Sequence, residues 1–318
     1  MKYASILDTI HDTPLVGLPR LSARFDREIH VKLESSNPGG SMKDRIALFG
    51  IEQAERRGDL RPGATIVEST SGSLGTSLAL IGPRKGYRVV CVVDPKTTSA
   101  NRRLMEMLGA RVVCVDTPDA NGNYLDARIR KVLEIVAQMD GAWWFDQYEN
   151  GDNPGAHRCH TGPEILRDMD GDLQWVVCPV GTGGLAGGLS RFFKATLPSC
   201  RVMAVDAEGS VVLNGPSGPR RQIGIGSNRR SDHLDLELLD ELVYVSDDEA
   251  FRTAKWLARE ESLCLGCSSG SAFAGLIKRI DRTRPGDRIV VISADSGLKY
   301  LDTIYDPAWV GEAAAVLV

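Results

Sequence analysis

Short runs of β-branched and apolar residues recur between longer amphipathic stretches, an alternation that only a few folds accommodate. Ala64 to Val67, Arg88 to Val93, Arg111 to Val115, Trp175 to Val180, Val202 to Val205 and Arg288 to Ile292 read as strands. Helical patterns lie between them, such as Ser99 to Leu108, closed by Gly109. This order predicts an α/β architecture of mainly parallel, twisted sheets flanked by helices, because right-handed crossovers lay each connecting helix on a sheet face. Ligands in such folds bind outside the carboxyl ends of the strands, so the loops that follow the strands are where chemistry is expected.

At 318 residues the chain suits two domains better than one core. The turn-rich stretch Asn150 to Gly155 reads as a crossing between them. A formal net charge of −4 excludes general nucleic-acid binding, which needs a basic surface. No apolar run reaches the ~20 residues of a membrane span, and the start Met1-Lys2-Tyr3-Ala4-Ser5 has no secretory layout, so a cytoplasmic protein is expected. The seven cysteines show no framework spacing and are read as reduced thiols. Cys264 and Cys267 form a C-x-x-C without the second pair that a structural zinc needs, so no metal is expected. From Ser210 to Asp232 periodicity is lost and Gly and Arg accumulate, the mark of a long functional loop.

Several of the loops are rich in Gly, Ser or Thr. Cys178 to Gly188, containing Gly181-Thr182-Gly183-Gly184-Leu185, follows an apolar strand and opens a helix at Leu189 to Lys194. Glycines allow close backbone approach and a helix start offers unpaired N–H groups, which together make a phosphate cradle. Packing alone is the bland reading. One tenant is a dinucleotide, since Gly181-x-Gly183-x-x-Ala186 fits that fingerprint and Asp206 stands where a ribose-binding acid belongs, which gives an NAD(P)-dependent oxidoreductase. The other is a phosphorylated aldehyde, which needs a lysine, a phosphate cradle, a partner for its ring nitrogen and a clamp for the substrate carboxylate. Lys43 in Asn37-Pro38-Gly39-Gly40-Ser41-Met42-Lys43-Asp44-Arg45 supplies the amine, Ser69 to Gly75 the hydroxyls and N–H groups for a carboxylate, and Gly266 to Ser271 a hydroxyl for the ring.

In this order, these segments resemble the cysteine synthase family of fold-type II pyridoxal-phosphate enzymes, over about Thr13 to Trp309. The resemblance implies a two-domain, tryptophan synthase β-like fold: a larger cofactor-binding domain of residues 1–40 and 150–318, and a smaller mobile substrate-binding domain of 41–149. It implies pyridoxal 5′-phosphate on Lys43, which is also the catalytic base. The cofactor is further held by Ser73, Gly181, Thr182, Gly183, Gly184, Leu185 and, at the ring nitrogen, Ser268. Thr70, Ser71, Gly72, Gln147 and Gly226 are implied for the substrate. Ser73 stands where the family usually has Asn, and Leu185 where many members have Thr. Within the family, stretches such as Thr117 to Leu125, Asp146-Gln147-Tyr148 and Val205 to Ser210 look closest to the branch that joins O-phospho-L-serine to L-glutamate. The expected reaction is β-replacement through an aminoacrylate, giving N-(2-amino-2-carboxyethyl)-L-glutamate and phosphate on a route to siderophore 2,3-diaminopropionate. Arg229 and Arg230 suit a phosphate leaving group, and Arg128 or Arg158 a glutamate side chain. Cysteine formation from O-acetyl-L-serine or O-phospho-L-serine and sulfide uses the same motifs. Family members form homodimers, which is the expectation here.

Overall fold

The computed structural model describes residues 2–120 and 122–311. In chain order the main elements are β1 (Leu15–Gly17), α1 (Pro19–Phe25), β2 (Glu28–Leu33), α2 (Lys43–Arg57), β3 (Thr65–Ser69), α3 (Ser73–Ile81), β4 (Arg88–Val93), α4 (Ser99–Met107), β5 (Arg111–Cys114), α5 (Tyr124–Gln138) and β6 (Ala142–Trp144). They continue with α6 (Asp152–Ala156), α7 (Gly162–Asp168), β7 (Trp175–Pro179), α8 (Gly184–Thr196), β8 (Arg201–Ala207), β9 (Glu241–Val245), α9 (Asp247–Glu260), α10 (Cys267–Lys278), β10 (Arg288–Ser293) and α11 (Pro307–Val310). The chain divides into two compact units, Met1–Ile10 with Pro38–Asn153, and His11–Asn37 with Pro154–Val318.

The smaller unit carries a sheet of order β5-β4-β3-β6 with every pair parallel. All five residues of β3 are buried, as expected for a parallel strand covered on both faces. On one face Val67, Val90 and Val92 pack with Val132 of α5. The larger unit carries a sheet of order β1-β2-β10-β7-β8-β9, in which only the β1–β2 pair is antiparallel. Its core joins Val31, Val177, Val205 and Val291 to Phe251 of α9 and Phe273 of α10. Small residues let α10 lie close: a Cβ on Gly275 would stand 2.6 Å from Val205 Cγ2, and one on Gly270 would stand 2.6 Å from Ala250 O.

The compact units divide after Ile10, Asn37 and Asn153, and the segment up to Ile10 groups with the smaller unit, whereas the domains implied by the resemblance have their boundaries at 40 and 149. That segment is a single 3-10 turn with no strand or long helix to read, while Ile10 is buried. The change of unit comes at His11 and Asp12, whose positive φ values of 94° and 46° turn the chain. Strands β1, β2, β6 and β9 were not expected. β1 and β6 are three residues long, and β2 hides behind Lys32, a fully buried cation held by Thr13 O at 2.7 Å, Asp168 at 3.0 Å and Glu164 at 3.1 Å.

Candidate active site

Lys43 is the first residue of α2, and its backbone N–H donates to Ser41 Oγ at 3.2 Å. The turn before it is held by the next residue. Asp44, fully buried, accepts from Gly39 N at 2.5 Å and from Ser77 Oγ of α3 at 2.5 Å. A Cβ on Gly39 would lie 2.3 Å from Asp44 Oδ1, so only glycine leaves room for that bond. Asp44 therefore fixes the start of α2, and with it Lys43, against α3. The motif contained Asp44, but nothing in its letters reveals this role.

After β3 the loop Thr70 to Gly72 leads into α3 at Ser73. Thr70 Oγ1 accepts from Gly75 N at 3.2 Å and from Gly72 N at 3.5 Å, which is the capping function expected of a Ser/Thr-rich helix start. Asn101 of α4 donates to Ser71 O at 3.2 Å and closes the loop from the other side. Gln147 reaches the same loop, its Nε2 donating to Ser69 O at 3.0 Å and to Glu68 Oε1 at 3.1 Å. Within the smaller unit the structure thus brings Gln147 to the base of the Thr70–Ser73 loop. Arg128, on the second turn of α5, is buried beside Asp94 at 3.4 Å, and among the described residues its Nε and Nη1 have no hydrogen-bond partner.

In the larger unit β7 ends at Pro179 and α8 starts at Gly184, five residues earlier than the helix expected from the sequence. Gly183 is the N-cap at φ 85°, and no side chain caps the helix. The first-turn amides of a helix of this length form an anion site. The packing reading holds for other glycines of the run: a Cβ on Gly187 would meet His233 O at 2.1 Å and one on Gly188 would meet Pro154 O at 2.3 Å. Gly226 N donates to Val180 O at 2.8 Å, and Ser231 Oγ donates to Thr182 O, so the long 210–232 loop is tied at two points to the glycine loop. Arg229 lies between those ties and donates its N–H to Ser227 Oγ at 3.1 Å; Arg230 is exposed, as is Arg158 on the π-turn His157–Thr161.

Ser268 is the second residue of α10, 2% exposed. Its neighbours use their hydroxyls inside the protein: Ser269 with Ser293 Oγ at 3.2 Å, and Ser271 with Gln222 Oε1 at 2.6 Å. No hydrogen bond joins the Ser268 hydroxyl to a protein group among the described residues. Each unit by itself carries groups of the kind that pyridoxal phosphate needs: the larger an uncapped helix start and the Ser268 hydroxyl, the smaller a lysine at a fixed helix start.

They fit a dinucleotide less well. Asp206 accepts from Ala207 N at 2.8 Å and Leu213 N at 3.3 Å, so its carboxylate organises its own loop. Burial pushes the Cys267 thiol up to about 12, which leaves it unreactive, while Cys264 is exposed. Among the described residues no group of His, Cys, Asp and Glu could hold a metal, and no helix is long and apolar enough to cross a membrane.

Comparison with known proteins agrees with this geometry. Residues 6–295 match the family model described as pyridoxal-phosphate dependent enzyme. O-ureido-L-serine synthase superposes with a TM-score of 0.89 at 32% identity, covering 98% of this chain and all of that one. A hydrogen sulfide-producing enzyme from Fusobacterium nucleatum gives 0.88 at 34% identity, covering 94% of this chain and all of that one. The K43A variant of O-ureido-L-serine synthase with O-ureido-L-serine bound gives 0.88 at 32% identity, covering 99% and 97%. The chain therefore belongs to the family of pyridoxal-phosphate dependent enzymes, with pyridoxal 5′-phosphate as its cofactor and β-replacement or a related reaction as its chemistry.

Proposed function

We propose that this enzyme replaces the phosphate of O-phospho-L-serine with L-glutamate at the β-carbon, acting as an N-(2-amino-2-carboxyethyl)-L-glutamate synthase on a route to 2,3-diaminopropionate. Lys43 holds the cofactor and, once released, takes the α-proton of the substrate. Bound pyridoxal phosphate supplies the electron sink for charge left at that carbon. The α8 start, through Gly181 to Leu185, holds its phosphate, and Ser268 meets its ring nitrogen with a neutral hydroxyl. Ser73 stands beside the ring at the start of α3, and Thr70, Ser71, Gly72 and Gln147 contact the amino-acid substrate. The smaller unit is read as the substrate-binding one, the larger as the cofactor-binding one, and the enzyme as a homodimer.

The choice of leaving group rests on one observation. The loop tied to the glycine loop at Gly226 and Ser231 carries Arg229 and Arg230, and a departing phosphate dianion gains from guanidinium groups where acetate does not. The buried Arg128, ion-paired with Asp94 but with Nε making no hydrogen bond among the described residues, supports a carboxylate-bearing nucleophile. A second reading, cysteine formation from O-acetyl-L-serine or O-phospho-L-serine and sulfide, is favoured by the similarity to a hydrogen sulfide-producing enzyme. Mass spectrometry of products from O-phospho-L-serine plus L-glutamate, against O-acetyl-L-serine plus sulfide, decides between them. Phosphate release with a glutamate adduct is expected, and efficient cysteine formation with no glutamate adduct sinks the assignment.

A further inference from the structure

A buried ion pair stands at the carboxyl end of the smaller unit's strands, the end at which parallel α/β folds bind ligands. Asp94 directly follows Val93, the last residue of β4. Arg128 lies on the second turn of α5, which starts from that same end because it connects β5 to the parallel strand β6. Asp94 is 5% exposed and Arg128 8%. Arg128 Nη1 lies 3.4 Å from Asp94 Oδ2, the one ion pair of this arginine among the described residues. It is not a hydrogen bond: Nε and Nη1 are both buried with no hydrogen-bond partner among the described residues.

The carboxylate is aimed by its own loop rather than by the arginine. Asp94 Oδ1 accepts from Lys96 N at 2.9 Å, Asp94 N donates to Thr97 Oγ1 at 3.4 Å, and Thr97 N donates to Asp94 O at 3.0 Å, which leaves Oδ2 toward α5. Lys96 Nζ lies 5.5 Å from the centre of the Tyr124 ring, and Tyr124 is four residues before Arg128, hence on the same face of α5. The loop is thus seated on α5 at Tyr124 and at Arg128, and Asp94 stays beside the guanidinium by charge alone. A buried arginine ordinarily commits its N–H groups to its counter-ion in a two-point bond, because an ion pair inside a protein is favourable only with such bonds. Here the charge is offset while the N–H groups are held back for another acceptor.

We infer that Asp94 is a specificity-determining residue: its charge offsets that of Arg128, so that a free anion is not drawn there, and only a carboxylate delivered by the rest of a bound nucleophile takes up the spare N–H groups. This rests on the reading above that Arg128 receives a carboxylate of the nucleophile. The anion most in need of exclusion is inorganic phosphate, which the proposed reaction releases in every turnover. A lone guanidinium attracts phosphate, whereas one with a carboxylate 3.4 Å away belongs to a neutral pair with little long-range field. A tethered carboxylate still binds, since the spare N–H groups give it directional bonds and the rest of its molecule has already brought it into place.

Inorganic phosphate is the probe. Its dissociation constant on the pyridoxal-phosphate-loaded enzyme, from isothermal titration calorimetry, would be compared across wild type, Asp94→Asn, Arg128→Met and the double variant. D94N is expected to tighten phosphate about tenfold or more, R128M alone to leave it within about twofold, and the double variant to lose the gain. Should D94N fail to fold, Asp94→Ser, whose hydroxyl can still take the Lys96 N–H, carries the same comparison. Unchanged phosphate affinity in a folded Asp94 variant, or a gain that survives the removal of Arg128, overturns the inference. If R128M leaves the KM for L-glutamate unchanged, the reading of Arg128 as a nucleophile contact fails, and the phosphate measurements still decide separately whether Asp94 screens Arg128.

Discussion

Hydroxyl and carboxyl groups that look alike in the sequence separate once their partners are known. Ser268 and Ser271 stand three residues apart on α10, but only Ser271 is hydrogen-bonded, to Gln222 Oε1 and Cys267 O. Ser271→Ala should therefore cost about 1 kcal/mol of stability in urea melts, because it leaves Gln222 one partner short. Ser268→Ala should leave stability within about 0.5 kcal/mol while lowering turnover about tenfold or more. Glu68 carries a pH signature. Burial, with the negative charge of Asp146 adding to it, pushes its folded value up to about 8, above the ordinary 4.5, so the stability of the neutral acid is fully present below about 4.5 and lost as pH rises through about 8. Glu68→Gln does not titrate, and its stability relative to wild type in urea melts should be greater at pH 9 than at pH 5, by on the order of 3–5 kcal/mol. That Lys43 and Ser268 stand at helix starts is legible in the sequence, because each lies in a Gly- and Ser-rich stretch. The roles of Asp44 and Glu68 are not, since a buried carboxylate is recognised by its partners, and Ser77 lies 33 residues from Asp44, as Gln147 lies 79 from Glu68.

Among elements, legibility followed length and burial. β4 and β7 are five or six residues of nearly continuous apolar character, and they fall within a residue of where the sequence put them. β6 is three residues and β9 starts with a glutamate after a long aperiodic loop, so neither announces itself. The sequence of 210–232 reads as a loop, but not as one held by its own hydrogen bonds. Its fastenings, such as Ser210 Oγ accepting from Ser227 N at 3.1 Å and Gly218 N donating to Gly209 O at 3.0 Å, have no periodic signature. The glycines of α8 also divide by cause, Gly183 for its positive φ and Gly188 for room. Gly188→Ala brings a Cβ to 2.3 Å from Pro154 O and 2.8 Å from His157 Cβ, a contact with backbone that side-chain motion cannot relieve. It should cost about 1–3 kcal/mol or prevent folding, which a chemical denaturation curve would show.

At the scale of the whole molecule, strand–helix alternation was enough for the fold class, because parallel crossovers leave few alternatives. Division into two units followed from length, while the grouping of the first ten residues depended on packing that composition does not record. Substrate identity is the least legible layer, since the proposed lysine, glycine loop and serine would serve several leaving groups and nucleophiles alike. Covalent attachment of the cofactor to Lys43, on which the proposed function rests, is open to direct measurement. Borohydride reduction of the purified, pyridoxal-phosphate-loaded enzyme, followed by peptide mapping, should place a phosphopyridoxyl group on Lys43, and Lys43→Ala should lose both the adduct and the visible absorbance of the loaded enzyme. An adduct on another lysine, with K43A still taking up the cofactor in the same way, would rule Lys43 out as the attachment site.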